Sequence, residues 1–155
     1  MIQIVQAGKD QENGRKVDGL FSGQMLRGQF MEFAETLPKQ IGNVKLNYEF
    51  YPGEDIYSDG AIEDEILEIT KNAARIEYPK IIEEKNSWPV LYHLSALRGN
   101  IVDWLPITKD MKVLEIGSGC GAITDKLSEK AGKVTCVDLS AKRSMINAYR
   151  NQDRD

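Results

Sequence analysis

Three glycines at alternate positions, Gly117, Gly119 and Gly121, follow directly on a short apolar run, Val113 to Ile116. A turn of this composition lets the backbone take conformations that a Cβ disfavours, and lets a ligand approach to van der Waals distance of the main chain. Ser118 and Cys120 fill the turn, and Glu115 stands two residues before it. A second apolar run, Lys133 to Val137, ends in Asp138, about 20 residues after the first glycine, where a dinucleotide-type fold keeps the acid that holds a ribose. Leu139 follows that acid. The chemistry this pattern suits is binding rather than bond-making: free backbone N–H groups and a helix dipole for an anionic end, a carboxylate for ribose hydroxyls.

Such residues need strand, loop, helix and second strand in that order. Ala122, Ile123, Thr124, Leu127 and Ala131 place apolar groups at helical spacing after the loop. Lys126 and Lys130 lie toward the far end, and Gly132 is the expected stop. After Asp138, Ser140 is the expected N-cap of a last helix that turns Met145, Ile146 and Tyr149 inward. Of the two cysteines, Cys136 reads as a small strand residue and Cys120 as a spacer beside a ligand. Neither has zinc-type spacing, and a reduced compartment fits both.

Val113-Leu-Glu-Ile-Gly-Ser-Gly-Cys-Gly121 followed by Val134-Thr-Cys-Val-Asp-Leu139 resembles the first motif and the following acidic motif of class I S-adenosylmethionine-dependent methyltransferases. Gly119-Cys-Gly-Ala-Ile-Thr124 is similar to the loop of the ribosomal RNA adenine dimethyltransferases. Gly117-x-Gly119-x-x-Ala122 also fits the nicotinamide pattern. Glu115 and the threefold alternation of glycines tilt the choice toward S-adenosylmethionine. The resemblance implies that Glu115 positions the loop or the methionine amino group, that Gly117, Ser118, Gly119, Cys120 and Gly121 admit the cofactor, and that Asp138, with Leu139, holds its ribose end. Arg98, on the preceding helix, could pair with the cofactor carboxylate. It implies an in-line methyl transfer in which the protein supplies orientation and a dry site. The motifs that follow in that family, including the catalytic loop, are missing here. The chain is therefore expected to be truncated and inactive alone, with its catalytic residues unknown. The other reading is a non-catalytic binding or assembly module.

With 20 basic and 24 acidic residues, a net charge of −4, and basic residues dispersed along the chain, nucleic acid is expected to be an unlikely partner. A small-molecule or sugar-related methyl acceptor is favoured instead. No run is long enough to span a membrane, and the N-terminus lacks a basic flank, so a cytoplasmic location is expected.

The expected fold class is α/β: an N-terminal α+β segment, residues 1–85, then the first half of a Rossmann-like domain, residues 86–155. Ile2 to Gln6 reads as a short strand, 8–19 as a polar loop, and Leu20 to Leu37 as an amphipathic helix with Phe21, Met25, Leu26, Phe30 and Phe33 on one side. Asn43 to Tyr51 alternates as a strand with Val44, Leu46, Tyr48 and Phe50 on its buried face. Ser58 or Asp59 caps a helix with Glu63, Asp64 and Glu65 in its first turns, acids that suit the helix dipole better than a metal. Arg75 to Asn86 reads as a linker or short helix, and Trp88 to Leu105 as one helix with Leu91, Leu94, Leu97, Ile101 and Leu105 inside. Its polar face carries His93, Ser95, Arg98 and Asn100. In the full sheet of that family the strand Val113 to Ile116 is central, between Lys133 to Val137 and a later strand; without the later strand it is expected to leave an open edge, covered by the N-terminal strands or by a second copy in a homo-oligomer.

Overall fold

The computed structural model describes residues 2–6, 35–55 and 58–154. The polar loop and nearly all of the amphipathic helix expected between 8 and 37 lie outside the described residues. Strand β1, Ile2–Gln6, forms as its alternation predicts, with Ile2 and Ile4 buried. Strands β2, Gln40–Ile41, and β3, Val44–Asn47, make a tight antiparallel pair around Gly42. A Cβ on Gly42 would fall 2.2 Å from the Gln152 carbonyl, and Asn43 N–H bonds that same carbonyl at 2.8 Å. The hairpin is thus docked onto the C-terminal end of the chain. The strand expected to reach Tyr51 stops at Asn47. A turn closed by Tyr51 N–H to the Tyr48 carbonyl breaks the alternation, so Tyr48 is buried while Phe50 turns out to solvent.

The helices are α1, Ala61–Asn72, α2, Tyr78–Lys85, α3, Trp88–Leu94, and the single turn α4, Asn100–Asp103. Of the two readings of residues 75–86 the short helix holds: a short 3-10 turn leads into α2, and Lys85 pairs with Glu65 at 2.7 Å. The single helix expected from Trp88 to Leu105 is broken in two. Ser95 is extended, with ψ 132°, and its hydroxyl caps the following 3-10 turn by accepting from Leu97 N–H. The predicted apolar stripe is split there, so that Leu94 is buried but Leu97 and Ile101 are exposed.

Strand β4, Lys112–Ile116, helix α5, Ala122–Lys130, strand β5, Lys133–Asp138, and helix α6, Ala141–Arg150, follow in the expected order. The sheet runs β2-β3-β1-β5-β4, parallel except for β2. Its strands come from both sides of residue 85. One face is the core: Ile2, Ile4, Val44, Leu46, Val134 and Cys136 pack with Leu127 of α5 and Ala148 of α6. Strand β4 lies at the edge, paired with β5 on one side and open on the other as expected, but the N-terminal strands do not cover that open side: they fold back onto the far side of β5, with β1 in register so that Gln6 stands opposite Asp138. Among the described residues no strand pairs with the outer side of β4, whose Leu114 and Ile116 are exposed on the face opposite the core. No helix among the described residues is long and apolar enough to cross a membrane.

Candidate functional site

A cavity of about 530 Å³ opens at the C-terminal end of β4. Gly117, Ser118, Gly119 and Cys120 line one side with Ala122 and Ile123 of α5, and Trp88, Tyr92, His93, Arg98, Asp59 and Arg143 line the other. Of the residues predicted from sequence, the loop members and Arg98 are brought together there. Gly121, Glu115, Asp138 and Leu139 are not among the lining residues.

The three glycines do different work. Gly117 and Gly119 have φ of +72° and +53°, and a Cβ on either would meet nothing within 4 Å. Backbone conformation requires them, and the space beside them is open. Gly121 also has positive φ, +78°, but a Cβ there would lie 2.3 Å from Asn147 Oδ1. Its smallness lets α6 pack against the start of α5, so it serves the fold. Gly132, expected as a helix stop, is likewise a packing glycine, because α5 ends in extended Ala131 and a Cβ on Gly132 would strike the Lys109 carbonyl at 2.0 Å.

Asp138 braces the loop. One carboxylate oxygen accepts from Gly119 N–H at 2.7 Å and the other from Ser140 N–H at 3.0 Å. Glu115 accepts from the Thr124 hydroxyl at 2.5 Å and lies 3.5 Å from the Cys136 thiol. Burial raises the Glu115 carboxyl above its ordinary value, outweighing those two hydrogen bonds. Burial also pushes both thiols up to about 12, which leaves Cys120 protonated and a poor nucleophile. Ser118 is buried, and its hydroxyl has no hydrogen-bond partner among the described residues. A buried polar group of this kind favours a ligand that can bond to it.

The opposite wall contains residues that the sequence reading did not assign to the site. Glu63 is fully buried and takes Ser58 Oγ at 2.7 Å, Asp59 N–H at 3.1 Å and Arg143 Nε at 2.6 Å. Burial alone would raise its carboxyl, but these three hydrogen bonds hold it below the usual value. Arg143 also pairs with Asp59 at 2.9 Å. Asp64 pairs with Lys142 and Glu65 with Lys85, so each acid of that first turn has its own cation. His93 is buried, 3.6 Å from Asp59, and burial lowers its basicity. Asp55 caps α6: it accepts from Ala141 N–H, Lys142 N–H and the Ser140 hydroxyl. Ser140 caps the same helix as expected, accepting from Arg143 N–H. Pairing across 80 residues leaves no periodic trace. Besides Arg98, already read from the sequence, the i,i+4 spacing of Trp88 and Tyr92 was a readable signal on this side.

Strand, glycine loop, helix and acid-ending strand, assembled on a mostly parallel sheet, are consistent with a Rossmann-like methyltransferase fold. Residues 96–152 match the family model described as ribosomal RNA adenine dimethylase, whose methyl donor is S-adenosylmethionine. An rRNA adenine N-6-methyltransferase of Bacillus licheniformis is 48% identical over 52 residues, covering 34% of this chain and 18% of that protein. One of Bacillus anthracis matches to the same extent. The chain therefore spans less than a fifth of the length of these relatives. No solved structure matches. The tilt from nicotinamide toward S-adenosylmethionine is borne out. The expectation that nucleic acid is an unlikely partner is overturned by these matches, and with it the lean to a small-molecule acceptor. Net charge reports the summed field of the chain, whereas single-stranded RNA is recognised largely by local stacking and hydrogen bonds.

Proposed function

We propose that the chain holds S-adenosylmethionine against its glycine loop, as the cofactor-binding part of an enzyme that methylates adenine in ribosomal RNA. The observation that carries the reading is the cavity floor, where Gly117 and Gly119 leave open space beside a buried Ser118 hydroxyl that no described residue partners. When bound, the cofactor supplies an electrophilic methyl group. Arg98 and the first turn of α5 suit its carboxylate. Glu115 holds the loop through Thr124, and Gly121 keeps the two helices behind it in contact. Cys120 spaces the turn. Asp138 keeps Gly119 in place and retains lone pairs for ribose hydroxyls, with Leu139 beside it. The chain's part is to orient and to exclude water.

Calorimetry tests this directly. S-adenosylmethionine is expected to bind and NADH not to, and Asp138→Ala is expected to weaken binding by about 1.5–3 kcal/mol while the protein still melts cooperatively. Unchanged affinity in that folded variant, or binding of NADH alone, would overturn the reading. The acceptor is tested on the full-length enzyme with labelled cofactor and ribosomal RNA, the label being sought on adenosine after nucleoside digestion.

A further inference from the structure

Helix α3 turns two opposite faces to two different environments. Val90 and Leu94, one helical turn apart, are fully buried and anchor it. Arg150, itself buried in α6, holds its C-terminal end by donating to the His93 and Leu94 carbonyls at 2.5 and 3.2 Å. Trp88 and Tyr92, also four residues apart, lie on the other face and line the cavity opposite the glycine loop. They are 72% and 44% exposed. Nothing in the packing of α3 demands large aromatic rings there, since Val90 and Leu94 already supply its buried contact.

The two rings form one surface. Their centroids are 6.3 Å apart, with planes inclined by 39°. The Arg98 guanidinium sits 4.2 Å from the Tyr92 centroid. His93 meets Tyr92 edge-on at 5.1 Å. Tyr92 is thereby fixed between a cation and an imidazole edge, and the Trp88 indole is left as the open platform. An exposed indole beside a tyrosine ring that carries a guanidinium suits a flat, π-faced ligand with negative charge nearby, which is the description of an unstacked nucleotide.

We infer that Trp88, backed by Tyr92, is the stacking platform on which an unpaired base of the RNA acceptor rests at the mouth of the cavity. The assignment builds on the RNA methyltransferase reading above and names the acceptor side of that same site. Stacking on aromatic rings is how single-stranded RNA bases are commonly held, and it tolerates any base, so adenine selectivity must come from elsewhere in the enzyme. Arg98 lines the same cavity as Trp88 and Tyr92, where it can meet the phosphate next to the stacked base or the cofactor's anionic end.

The test uses the only two tryptophans, Trp88 and Trp104. In a Trp104→Phe background the fluorescence of Trp88 is read alone while a short single-stranded oligoriboadenylate is titrated, and cofactor affinity is measured separately by calorimetry. Oligoriboadenylate is expected to quench Trp88. Trp88→Ala should weaken oligonucleotide binding roughly 5- to 100-fold, with an unchanged dependence on salt because no phosphate contact is lost, and Trp88→Tyr should restore most of the affinity. S-adenosylmethionine affinity should be the same in all these variants. Equal oligonucleotide binding by the native chain and Trp88→Ala, or no binding by either, would overturn the inference while leaving the cofactor assignment intact. Quenching by S-adenosylmethionine alone, with loss of its affinity in Trp88→Ala, would also overturn it by giving the platform to the cofactor. Failure of S-adenosylmethionine to bind the native chain would instead remove the reading on which the inference rests.

Discussion

The glycine loop and the helical wall opposite it face the same cavity but are held by different physics. The loop is tied to what lies near it in sequence: Gly117 N–H to the Val137 carbonyl at 2.8 Å, Gly119 N–H to Asp138 at 2.7 Å, and Gly121 N–H to the Ser118 carbonyl at 3.1 Å. Its shape follows from backbone dihedrals that glycine adopts without strain. The wall is tied across the whole chain, by Arg143 to Glu63, Arg150 to the end of α3, and Asp55 to the start of α6. Changes in the loop should therefore act mainly on binding, and changes behind the wall mainly on folding.

The largest effect is expected behind the wall. Arg143→Ala would strand the fully buried Glu63 carboxylate, and breaking such a pair costs about 3–5 kcal/mol. Urea denaturation measures it, and the double change Glu63→Gln with Arg143→Met should recover much of the loss. A cost near zero for Arg143→Ala would mean that the wall is not held by this pair.

The glycines sharpen the contrast within the loop itself. Gly121→Ala combines a left-handed backbone with a collision against Asn147, a cost of roughly 2–4 kcal/mol. Gly119→Ala meets no neighbour and should cost only about 1–2 kcal/mol from its backbone conformation. Its larger consequence should be on S-adenosylmethionine affinity, which Gly119→Val should abolish. Equal destabilisation by the alanine changes at 119 and 121 would remove the distinction between a ligand glycine and a packing glycine.

The smallest expected effect is in the pH dependence, and its sign differs between the two regions. Glu63 has a carboxyl held below its unfolded value, so its stabilisation is present above the ordinary carboxylate range and is lost as pH falls through the folded value. Glu115 is raised by burial, so the stability it contributes is full below its unfolded value and declines as pH rises through the folded one. Stability measured against pH in Glu63→Gln should lose the acid-side fall. In Glu115→Gln the decline on the rising side should flatten. The same slope for both would show that their surroundings are not as different as the hydrogen bonds make them.

Much of the loop side was legible in the sequence, because the information is local. Val113 to Ile116, the alternating glycines, Asp138 and the Ser140 cap all lie within one strand–helix–strand–helix run, where spacing alone determines which groups meet. The wall was not legible in that way. The apolar period from Leu91 to Leu105 suggested one helix, but the Ser95 side chain captured Leu97 N–H and turned the chain, exposing Leu97 and Ile101. Phe50 followed the alternation of a strand that a turn had already ended.

By itself, then, the sequence determined that a glycine turn and an acid would sit at the ends of two neighbouring strands, since both depend on backbone preferences over a few residues. The packed chain alone settles that the N-terminal strands add to β5 and not to β4, that Gly121 and Gly132 are packing glycines, and that Glu63 and Arg143 support the wall across the cavity. Those outcomes depend on which surfaces remain to be buried once the strands have paired, a property of the whole packed chain that no local spacing records.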